Sequence, residues 1–170
     1  AARAGAASGE VLAAEWQTHG RGRRGRRWQS GLCTALTFSL LWRFDQPVSA
    51  LGRLSLAAGV AIVRALRRNA VEAALKWPND VLWQGRKLGG VLIEVQGDAG
   101  GPCAAVIGVG INVCLSAAQK LSIDQAVADL HEAGGAALQR GEWLAAILLE
   151  LSATLHRFAR SGFAPMRAEW

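Results

Sequence analysis

Two apolar segments joined by a very short link constrain the fold of this chain more than any other feature. The segments are residues 81–83 and 88–95, and Gln84 and Gly85 lie between them at the position of a tight turn. Strands linked so closely form a β-hairpin, and the two strands of a hairpin are antiparallel. The chain is therefore expected to contain a largely antiparallel or mixed sheet, with helices packed on one of its faces.

Four further segments have the apolar patterning of strands. Residues 11–16 form a short apolar stretch, and residues 36–42 alternate with a period of two, which predicts a half-buried strand. Residues 71–77 alternate again and lead into a turn at residues 78–80. Residues 104–113 predict another strand, broken by the two glycines in its middle.

Three segments have helical spacing. Apolar residues recur on one face over residues 51–68, and arginines end that helix. Residues 122–134 predict a second helix, opened by a capping box and ended by a glycine. Residues 144–158 line one face of a long last helix, which Gly162 is expected to terminate. With the strands, these helices predict an α+β fold.

Composition places the chain among folded proteins of one domain. It has 170 residues, of which 51% are hydrophobic and 19% are charged, and this balance excludes disorder. No apolar run approaches the ~18 residues of a membrane-spanning helix. The first ten residues, AARAGAASGE, lack the apolar core of a signal peptide and start without methionine, which indicates a fragment.

The cysteines and histidines indicate a reducing compartment and argue against a zinc site. Cys33, Cys103 and Cys114 are an odd number of thiols without Cys-x-x-Cys spacing, which is typical of free cytosolic cysteines. The three histidines are scattered along the sequence, so no zinc cluster is expected. We therefore expect a cytoplasmic protein.

The most distinctive functional motif is GRGRRGRRW at residues 20–28, which we call the arginine loop. It holds five arginines, whose charges nearly equal the formal net charge of +6 for the whole chain. Guanidinium groups bind phosphate or carboxylate through paired hydrogen bonds, and interleaved glycines let the backbone approach a ligand. The arginine loop is therefore predicted to be an anion-binding lid.

The sequence of the arginine loop suggests three other interpretations. Residues 20–25 match the dinucleotide fingerprint GxGxxG, and Asp45 follows 20 residues after its last glycine. That fingerprint requires a helix directly after the glycines, whereas an alternating strand follows here, so we reject it. An Arg-Gly segment that binds RNA and a solvated charge run without a specific role remain alternatives.

Two downstream motifs favour phosphate chemistry. KWPND at residues 76–80 places a lysine at the end of an apolar strand, with an amide and a carboxylate after the proline. These groups suit a phosphate, a ribose or Mg²⁺. In RKLGG at residues 86–90, Lys87 stands beside a glycine pair that lets another group pack against the strand. A turn without function and a solvated lysine are the alternative interpretations.

GVGIN at residues 108–112 ends the strand predicted over residues 104–113. Its glycines are interpreted either as β-bulges or as a surface against which a flat ligand lies, with Asn112 as a polar contact. Trp28 directly follows the arginines and is a candidate to stack on a base, although most of the seven tryptophans are expected in the core.

Taken together and in this order, the four motifs resemble those of the bacterial biotin–protein ligases, the biotin–[acetyl-CoA-carboxylase] ligase family. The arginine loop and KWPND are highly specific, and the similarity runs from about residue 11 to residue 170. The resemblance implies a mixed, largely antiparallel sheet with helices packed on it, the biotin–lipoate ligase fold related to class II aminoacyl-tRNA synthetases. It also implies activation of biotin with MgATP to biotinyl-5′-AMP, followed by transfer of biotin to a carrier lysine.

The resemblance implies three overlapping sets of site residues. Lys87 and Arg23 would be catalytic, because their charges would face the biotin carboxylate and the α-phosphate as charge develops there. The biotin contacts would be Gln17, Gly20, Arg21, Arg23, Lys87, Gly90 and Gly108. The ATP contacts would be Arg23, Arg26, Trp28, Lys76, Asn79, Asp80, Lys87 and Asn112. Mg²⁺ would accompany ATP, with Asp80 as a candidate ligand.

The resemblance also predicts the domain organisation. Residues 1–170 would form a single catalytic domain that lacks the first strand, with its Ser/Thr-Thr-Asn element, and the small C-terminal barrel. Gly31-Leu32-Cys33 stands where the family usually has Pro-x-Gly. Because biotin would lose contacts, we expect the chain to be a weak or inactive ligase. No winged-helix segment precedes the motifs, so no DNA binding is expected.

The expected partner is the biotin carboxyl carrier protein of acetyl-CoA carboxylase, with ATP, Mg²⁺ and biotin as small-molecule partners. A homodimer is left open, and no membrane contact is expected. Two rival functions remain: a lipoate or octanoyl ligase on the same fold, and a nucleic-acid-binding module that uses the arginine loop. The second would bind DNA or RNA with a steep dependence on salt.

Overall fold

The structure is a computed structural model that describes residues 5–98 and 100–170. Within those residues, six strands form one sheet in the order β1-β2-β6-β5-β4-β3, and all neighbours are antiparallel. The strands are β1 (Val11–Ala14), β2 (Ala35–Phe44), β3 (Ala74–Lys76), β4 (Asp80–Trp83), β5 (Arg86–Gly97) and β6 (Cys103–Asn112). The helices are α1 (Leu54–Arg68), α2 (Ala117–Ser122) and α3 (Arg140–Ser161), with short 3₁₀ turns at Arg23–Gly25, Val48–Leu51, Gly135–Ala137 and Ala164–Met166.

These elements confirm the predicted α+β class. Of the N-terminal stretch that lacks a signal-peptide core, residues 1–4 lie outside the described residues. In the part of the chain that the structure describes, no helix combines the length and apolarity needed to cross a membrane. All three cysteines are free thiols.

The predicted hairpin is confirmed. β4 and β5 pair antiparallel, and Gln84 and Gly85 connect them with positive φ angles of 47° and 76°. Two successive residues at positive φ are typical of a type I′ turn, whose twist matches that of the flanking strands. A register shift between Val81 and Leu82 marks an irregularity in β4, which the sequence pattern did not indicate.

The prediction that residues 36–42 form a half-buried strand is wrong in its burial. Residues on both faces of β2 are buried, including Leu36 and Phe38 on one face and Thr37 and Leu41 on the other. The first face packs into the core. The second face contributes Thr37 to the floor of a cavity rather than facing open water.

The predicted break in the strand over residues 104–113 is also wrong. β6 runs without interruption, and both Gly108 and Gly110 pair in register with β2 on one side and β5 on the other. The two glycines are therefore not β-bulges. Their missing side chains make space above the sheet, which decides the shape of the site described below.

The capping box that opens the second helix lies earlier than predicted. The Ser116 hydroxyl accepts a hydrogen bond from the Gln119 main-chain N–H at 3.2 Å, and the Gln119 side chain accepts one from the Ser116 N–H at 2.9 Å. This box opens α2, and Ser122 is the last residue of that helix rather than its start. Ser-Ile-Asp-Gln at residues 122–125 has the composition of a capping box without being one.

The segment after α2 is extended because it pairs with β5. The Lys87 N–H donates to the Ala126 carbonyl at 2.9 Å, and the Ala128 N–H donates to the Lys87 carbonyl at 2.9 Å. These tertiary hydrogen bonds override the helical signal of residues 122–134. Gly134, which was predicted to end a helix, precedes a 3₁₀ turn with φ of 87°.

α1 and α3 pack against each other and on one face of the sheet, where they enclose the core. α1 begins at Leu54 rather than at Leu51, because Val48–Leu51 forms a 3₁₀ turn. α3 ends as predicted at Gly162, which has φ of 62°. The two helices leave the opposite face of the sheet to the arginine loop.

Candidate active site

The sheet face opposite the helices carries a cavity of about 510 Å³. Its floor includes Thr37 and Ser39 of β2, Gly90 of β5 and Gly108 of β6. The arginine loop and the turn at residues 77–79 form its walls. The glycines and short hydroxyl side chains of the floor explain why an antiparallel sheet, which is pleated and normally covered with side chains, is concave here.

The arginine loop is closed by its own main chain. The Gly22 N–H donates to the Arg26 carbonyl at 2.7 Å, and the Trp28 N–H donates to the Gly20 carbonyl at 2.9 Å. Arg24 occupies the left-handed region with φ of 56°. These two hydrogen bonds bring the ends of the loop together, so the loop is a compact turn that carries the guanidinium groups.

Two side-chain contacts join the arginine loop to other parts of the cavity. An Arg21 guanidinium nitrogen lies 3.1 Å from a Glu94 carboxylate oxygen, and Arg23 donates to the side-chain oxygen Oδ1 of Asn79 at 3.4 Å. The Asn79 amide in turn donates to the Val91 carbonyl at 2.8 Å, which fixes it to β5. Two arginines are thus oriented by acceptors on β5 and in the turn at residues 77–79, while they remain largely exposed to an incoming anion.

Lys87 and Asp80 form an ion pair in the cavity, with Nζ and Oδ1 separated by 2.8 Å. Their side chains are 18% and 22% exposed, so the pair is partly desolvated. Gly90 lies beneath it: a Cβ atom at that position would lie 3.5 Å from Asp80 Oδ1 and 3.6 Å from Lys87 Cε. The glycine at residue 90 therefore lies next to the pair and leaves the space above it in the cavity open.

Trp28 lies flat against β6 at Gly110. A Cβ atom on residue 110 would come within 2.6 Å of the indole ring, so only glycine allows this contact. The indole Nε1 and the Ser30 hydroxyl are both buried, and neither has a hydrogen-bond partner among the described residues. Trp28 and Ser30 also line a second cavity of about 470 Å³, to which Gln119 and Ile123 contribute.

The structure brings most of the predicted site residues to one cavity. Gln17, Arg21, Arg23, Arg26, Trp28, Lys76, Asn79, Asp80, Lys87, Gly90 and Gly108 all line it.

Two predicted residues lie elsewhere. Gly20 is buried at the base of the arginine loop, where a Cβ atom would lie 2.5 Å from the Trp28 carbonyl oxygen. Asn112 is buried, and its amide donates to the carbonyl oxygens of Ala128 at 3.0 Å and Lys87 at 3.3 Å. Asn112 therefore fastens the main chain of Lys87 rather than lining the cavity.

The sequence patterns missed several cavity residues. Thr37 and Ser39 lie on the face of β2 opposite Leu36 and Phe38, so the period-two alternation could have identified them. Glu94 is the carboxylate that pairs with Arg21, and only its position on the same face of β5 as Gly90 would have indicated it. Across residues 5–98 and 100–170, no group of three His, Cys, Asp or Glu side chains is arranged to hold a metal ion.

Two curated proteins are similar to this chain over most of its length. The bifunctional ligase/repressor BirA of Escherichia coli strain K12 is 40% identical over 165 residues, which are 96% of this chain and 51% of that protein. The biotin–[acetyl-CoA-carboxylase] ligase of Mycobacterium tuberculosis strain H37Rv is 40% identical over 152 residues, which are 86% of this chain and 54% of that protein. The chain spans about half the length of these curated relatives.

Solved structures have the same fold. The biotin protein ligase from Aquifex aeolicus in complex with biotin and ATP superposes with a TM-score of 0.78 and 30% identity, over 96% of this chain and 68% of that one. The family model of the biotin/lipoate A/B protein ligases matches residues 4–112, which include the arginine loop, KWPND, RKLGG and GVGIN. Because that match covers more than half of the chain, the chain belongs to the biotin/lipoate A/B protein ligase family.

Proposed function

We propose that this chain carries the catalytic machinery of an ATP-dependent biotin–[acetyl-CoA-carboxylase] ligase. It would convert biotin and MgATP to biotinyl-5′-AMP and pyrophosphate, and then transfer biotin to a lysine of a biotin carboxyl carrier protein. The observation that carries the proposal is the cavity in which Arg21, Arg23 and Lys87 converge above a floor of glycines. Relatives with 40% identity are named as biotin ligases, which supports biotin as the acid.

The first step joins two anions. A carboxylate oxygen of biotin attacks the α-phosphorus of ATP, the bond from that phosphorus to the bridging oxygen breaks, and pyrophosphate leaves. Repulsion between the carboxylate and the phosphates opposes the approach, so cations fixed beforehand at this point lower the barrier. Lys87, oriented by Asp80, and Arg23, oriented by Asn79, would supply these cations.

The second step releases the nucleotide. The uncharged amine of a carrier lysine attacks the carbonyl carbon of biotinyl-5′-AMP, an amide bond forms, and AMP leaves through its phosphate oxygen as the amine loses a proton. Until the carrier arrives, the anhydride must be kept from water. The arginine loop forms a wall of the cavity, and it would cover the anhydride from that side.

We assign biotin and ATP to overlapping parts of the cavity. Biotin would contact Gln17, Arg21, Gly90 and Gly108, with Gly20 acting through the closure of the arginine loop. ATP would contact Arg26, Lys76 and the Asn79 amide, and its base would border Trp28, whose unpartnered Nε1 is a buried donor. Asn112 would act through the main chain of Lys87.

Mg²⁺ would enter with ATP. Mg²⁺ in such sites is usually held by one or two carboxylates together with phosphate oxygens and water. Asp80 lines the cavity and is the carboxylate of the KWPND turn, so the residues present fit this requirement. Binding of the ion at Asp80 would leave the Lys87 ammonium to the reacting groups.

The wider organisation is proposed on the same basis. We assign residues 1–170 to one catalytic domain acting in the cytoplasm, where three free thiols would stay reduced. Past Gly90, β5 has no β4 partner among the described residues, and this strand edge could pair with a second copy of the chain. Sedimentation at several concentrations would test the homodimer.

ATP–pyrophosphate exchange with biotin, lipoate and octanoate in parallel tests the choice of acid. We expect exchange above background with biotin alone. Exchange with lipoate or octanoate but not with biotin would replace the proposal by the rival ligase function. Steeply salt-dependent binding of DNA or RNA, with no exchange for any acid, would favour the nucleic-acid module.

A further inference from the structure

The cavity of about 510 Å³ is lined by two carboxylates among the described residues, those of Asp80 and Glu94. Asp80 pairs with Lys87. Glu94 pairs with Arg21, whose Nη2 lies 3.1 Å from Oε1 and 3.4 Å from Oε2 of the carboxylate. A negative charge in this cavity repels the carboxylate and phosphates that the cavity is proposed to bind. Glu94 is therefore expected to have a role that outweighs this repulsion.

Glu94 is held by the sheet, whereas Arg21 extends from the arginine loop. Glu94 pairs in register with Val106 of β6, and it lies on the same face of β5 as Gly90, because strand residues four positions apart share a face. Arg21 is bound into the loop by a β-bridge to Arg27. The contact with Glu94 therefore acts on the base of the loop and not on one side chain alone.

Two arginine side chains join the loop to points that are spaced along β5. Arg23 donates to Oδ1 of Asn79, and hydrogen bonds of 2.8 and 3.0 Å join Asn79 to the main chain of Val91. Glu94, the partner of Arg21, lies three residues beyond Val91, which is about 10 Å along the strand. Attachment at two points this far apart keeps the loop from pivoting about either one.

The two arginines differ in the charge of their partners. The Glu94 carboxylate compensates the charge of Arg21, whereas Asn79 is a neutral amide and leaves the charge of Arg23 uncompensated. A guanidinium that is already paired with a carboxylate attracts a second anion less strongly. Arg23 is therefore suited to bind the anion, and Arg21 is suited to fasten the loop.

We propose that Glu94 is a positioning residue that closes the arginine loop over the acyl adenylate, and that the Arg21 side chain serves this closure rather than the binding of an anion. This role rests on the proposed function, and the contact of Arg21 with biotin would then come from its main chain. Without ligand the pair contributes little, because the Arg21 and Glu94 side chains are 72% and 45% exposed. A ligand that fills the cavity excludes water, and the pair then becomes stronger.

Trypsin cleavage of the ligand-free chain after Arg24 measures how often the loop opens. Glu94→Gln and Arg21→Gln should each accelerate this cleavage about two- to fivefold, the range of an exposed ion pair. The reversed pair, Arg21→Glu with Glu94→Arg, should return the rate to that of the unsubstituted chain. Glu72→Gln is the matched control, because it removes a carboxylate from an ion pair with Arg67 outside the cavity, and it should leave cleavage unchanged. Equal cleavage in Glu94→Gln and the unsubstituted chain would overturn the proposal.

Release of biotinyl-5′-AMP, followed by stopped flow, tests closure over the ligand. Glu94→Gln and Arg21→Gln should each release the adenylate about tenfold faster than the unsubstituted chain. The double variant should be no faster than either, because both substitutions remove the same contact. The reversed pair should restore slow release, and Glu72→Gln should match the unsubstituted chain.

Two results of the release assay would overturn the proposal. Faster release in Arg21→Gln alone would show that Arg21 binds the adenylate directly, and slower release in Glu94→Gln would show that Glu94 only repels it. If the unsubstituted chain does not bind biotinyl-5′-AMP, the release assay concerns only the proposed function, and the trypsin comparison decides whether Glu94 holds the loop.

Discussion

Among the residues of the arginine loop, Arg23 has the role that a single substitution can test most directly. Its fork contacts Asn79 and lines the cavity. In Arg23→Gly, biotinyl-5′-AMP should dissociate about 10- to 100-fold faster, which corresponds to losing one charge-assisted hydrogen-bonded contact. Released adenylate would then label lysines of bystander proteins. Stopped-flow release and labelling of an added inert protein measure the two effects.

Arg24→Gly is the matched control for this experiment. It removes the same charge from the same loop, and glycine tolerates the positive φ of 56° at residue 24. Its effect on release should be much smaller. Equal acceleration by both variants would mean that the net charge of the loop matters and not the contact made by Arg23.

The substitution Gly110→Ala tests whether Trp28 must lie against the sheet. A methyl group in Gly110→Ala would meet the indole ring at 2.6 Å, so the ring must move or the strand must shift. Overpacking of this kind typically costs about 1–3 kcal/mol of unfolding free energy, and ATP binding should weaken with it. Urea denaturation and tryptophan fluorescence would record both changes. Gly141→Ala, in the first turn of α3 where the structure leaves open space, should not lower stability, because alanine favours a helix more than glycine does. A Gly110→Ala variant that also kept its stability would contradict the contact.

At single positions, the sequence predicts which residue types suit the reaction better than it predicts which contacts their side chains make. Lys87, Asp80 and Arg23 carry residue types that suit phosphate chemistry, and they do line one cavity. Asn112 has an equally suitable side chain, yet its amide is used by two main-chain carbonyl groups. Whether a polar group forms hydrogen bonds within the protein or stays available to a ligand depends on contacts between distant segments. No local sequence pattern contains that information.

Among the elements, the arginine loop is expected to change most when ligand binds. Five like charges repel each other, and the two side-chain contacts that join its arginines to other parts of the cavity, Arg21 to Glu94 and Arg23 to Asn79, are at exposed side chains, where such contacts contribute little. An anion would offset the repulsion and order the loop. Hydrogen exchange of residues 20–28 should slow markedly on adding biotinyl-5′-AMP. Equal exchange with and without the adenylate would rule out a lid.

Elements defined by local patterns were predicted, and those defined by tertiary hydrogen bonds were not. The Gln84-Gly85 turn sets its hairpin within a few residues, and the apolar stripe of α3 extends over many turns. The segment at residues 122–134 has a helical signal, but residues 126–128 bind the main chain of Lys87 instead. β6 was predicted to break at Gly108 and Gly110, and the sequence does not show that Trp28 occupies the space above Gly110.

At the scale of the whole molecule, the ionic contacts predict a loss of stability in acid. Burial would raise the pKa of Asp129, but the Lys120 ammonium and two main-chain N–H groups outweigh it and lower that pKa from its ordinary value of 3.8. The pKa of Glu169, which pairs with Arg64, is lowered from 4.5. A lowered carboxyl pKa contributes stability above the unfolded-state value, and the contribution is lost as pH falls through the folded-state value. Urea midpoints should therefore be constant near pH 6 and fall below about pH 4.

Asp129→Asn supplies the control, because the amide does not titrate. Its urea midpoint should be lower than that of the unsubstituted chain near neutrality, and the difference between the two chains should shrink as the pH falls. A constant difference from neutrality to acid would show that the Asp129 carboxylate does not contribute to the pH dependence.

The dependence of acyl-adenylate formation on Lys87 tests the proposed function most directly. Biotinyl-5′-AMP can be quantified from biotin and α-labelled ATP with the unsubstituted chain, with Lys87→Ala, and with Arg160→Gln as a variant remote from the cavity. We predict biotin-dependent adenylate that Lys87→Ala reduces by about 10²- to 10³-fold, the typical effect of removing one preorganised charge contact, while Arg160→Gln matches the unsubstituted chain. Adenylate formed equally well by Lys87→Ala would contradict the account.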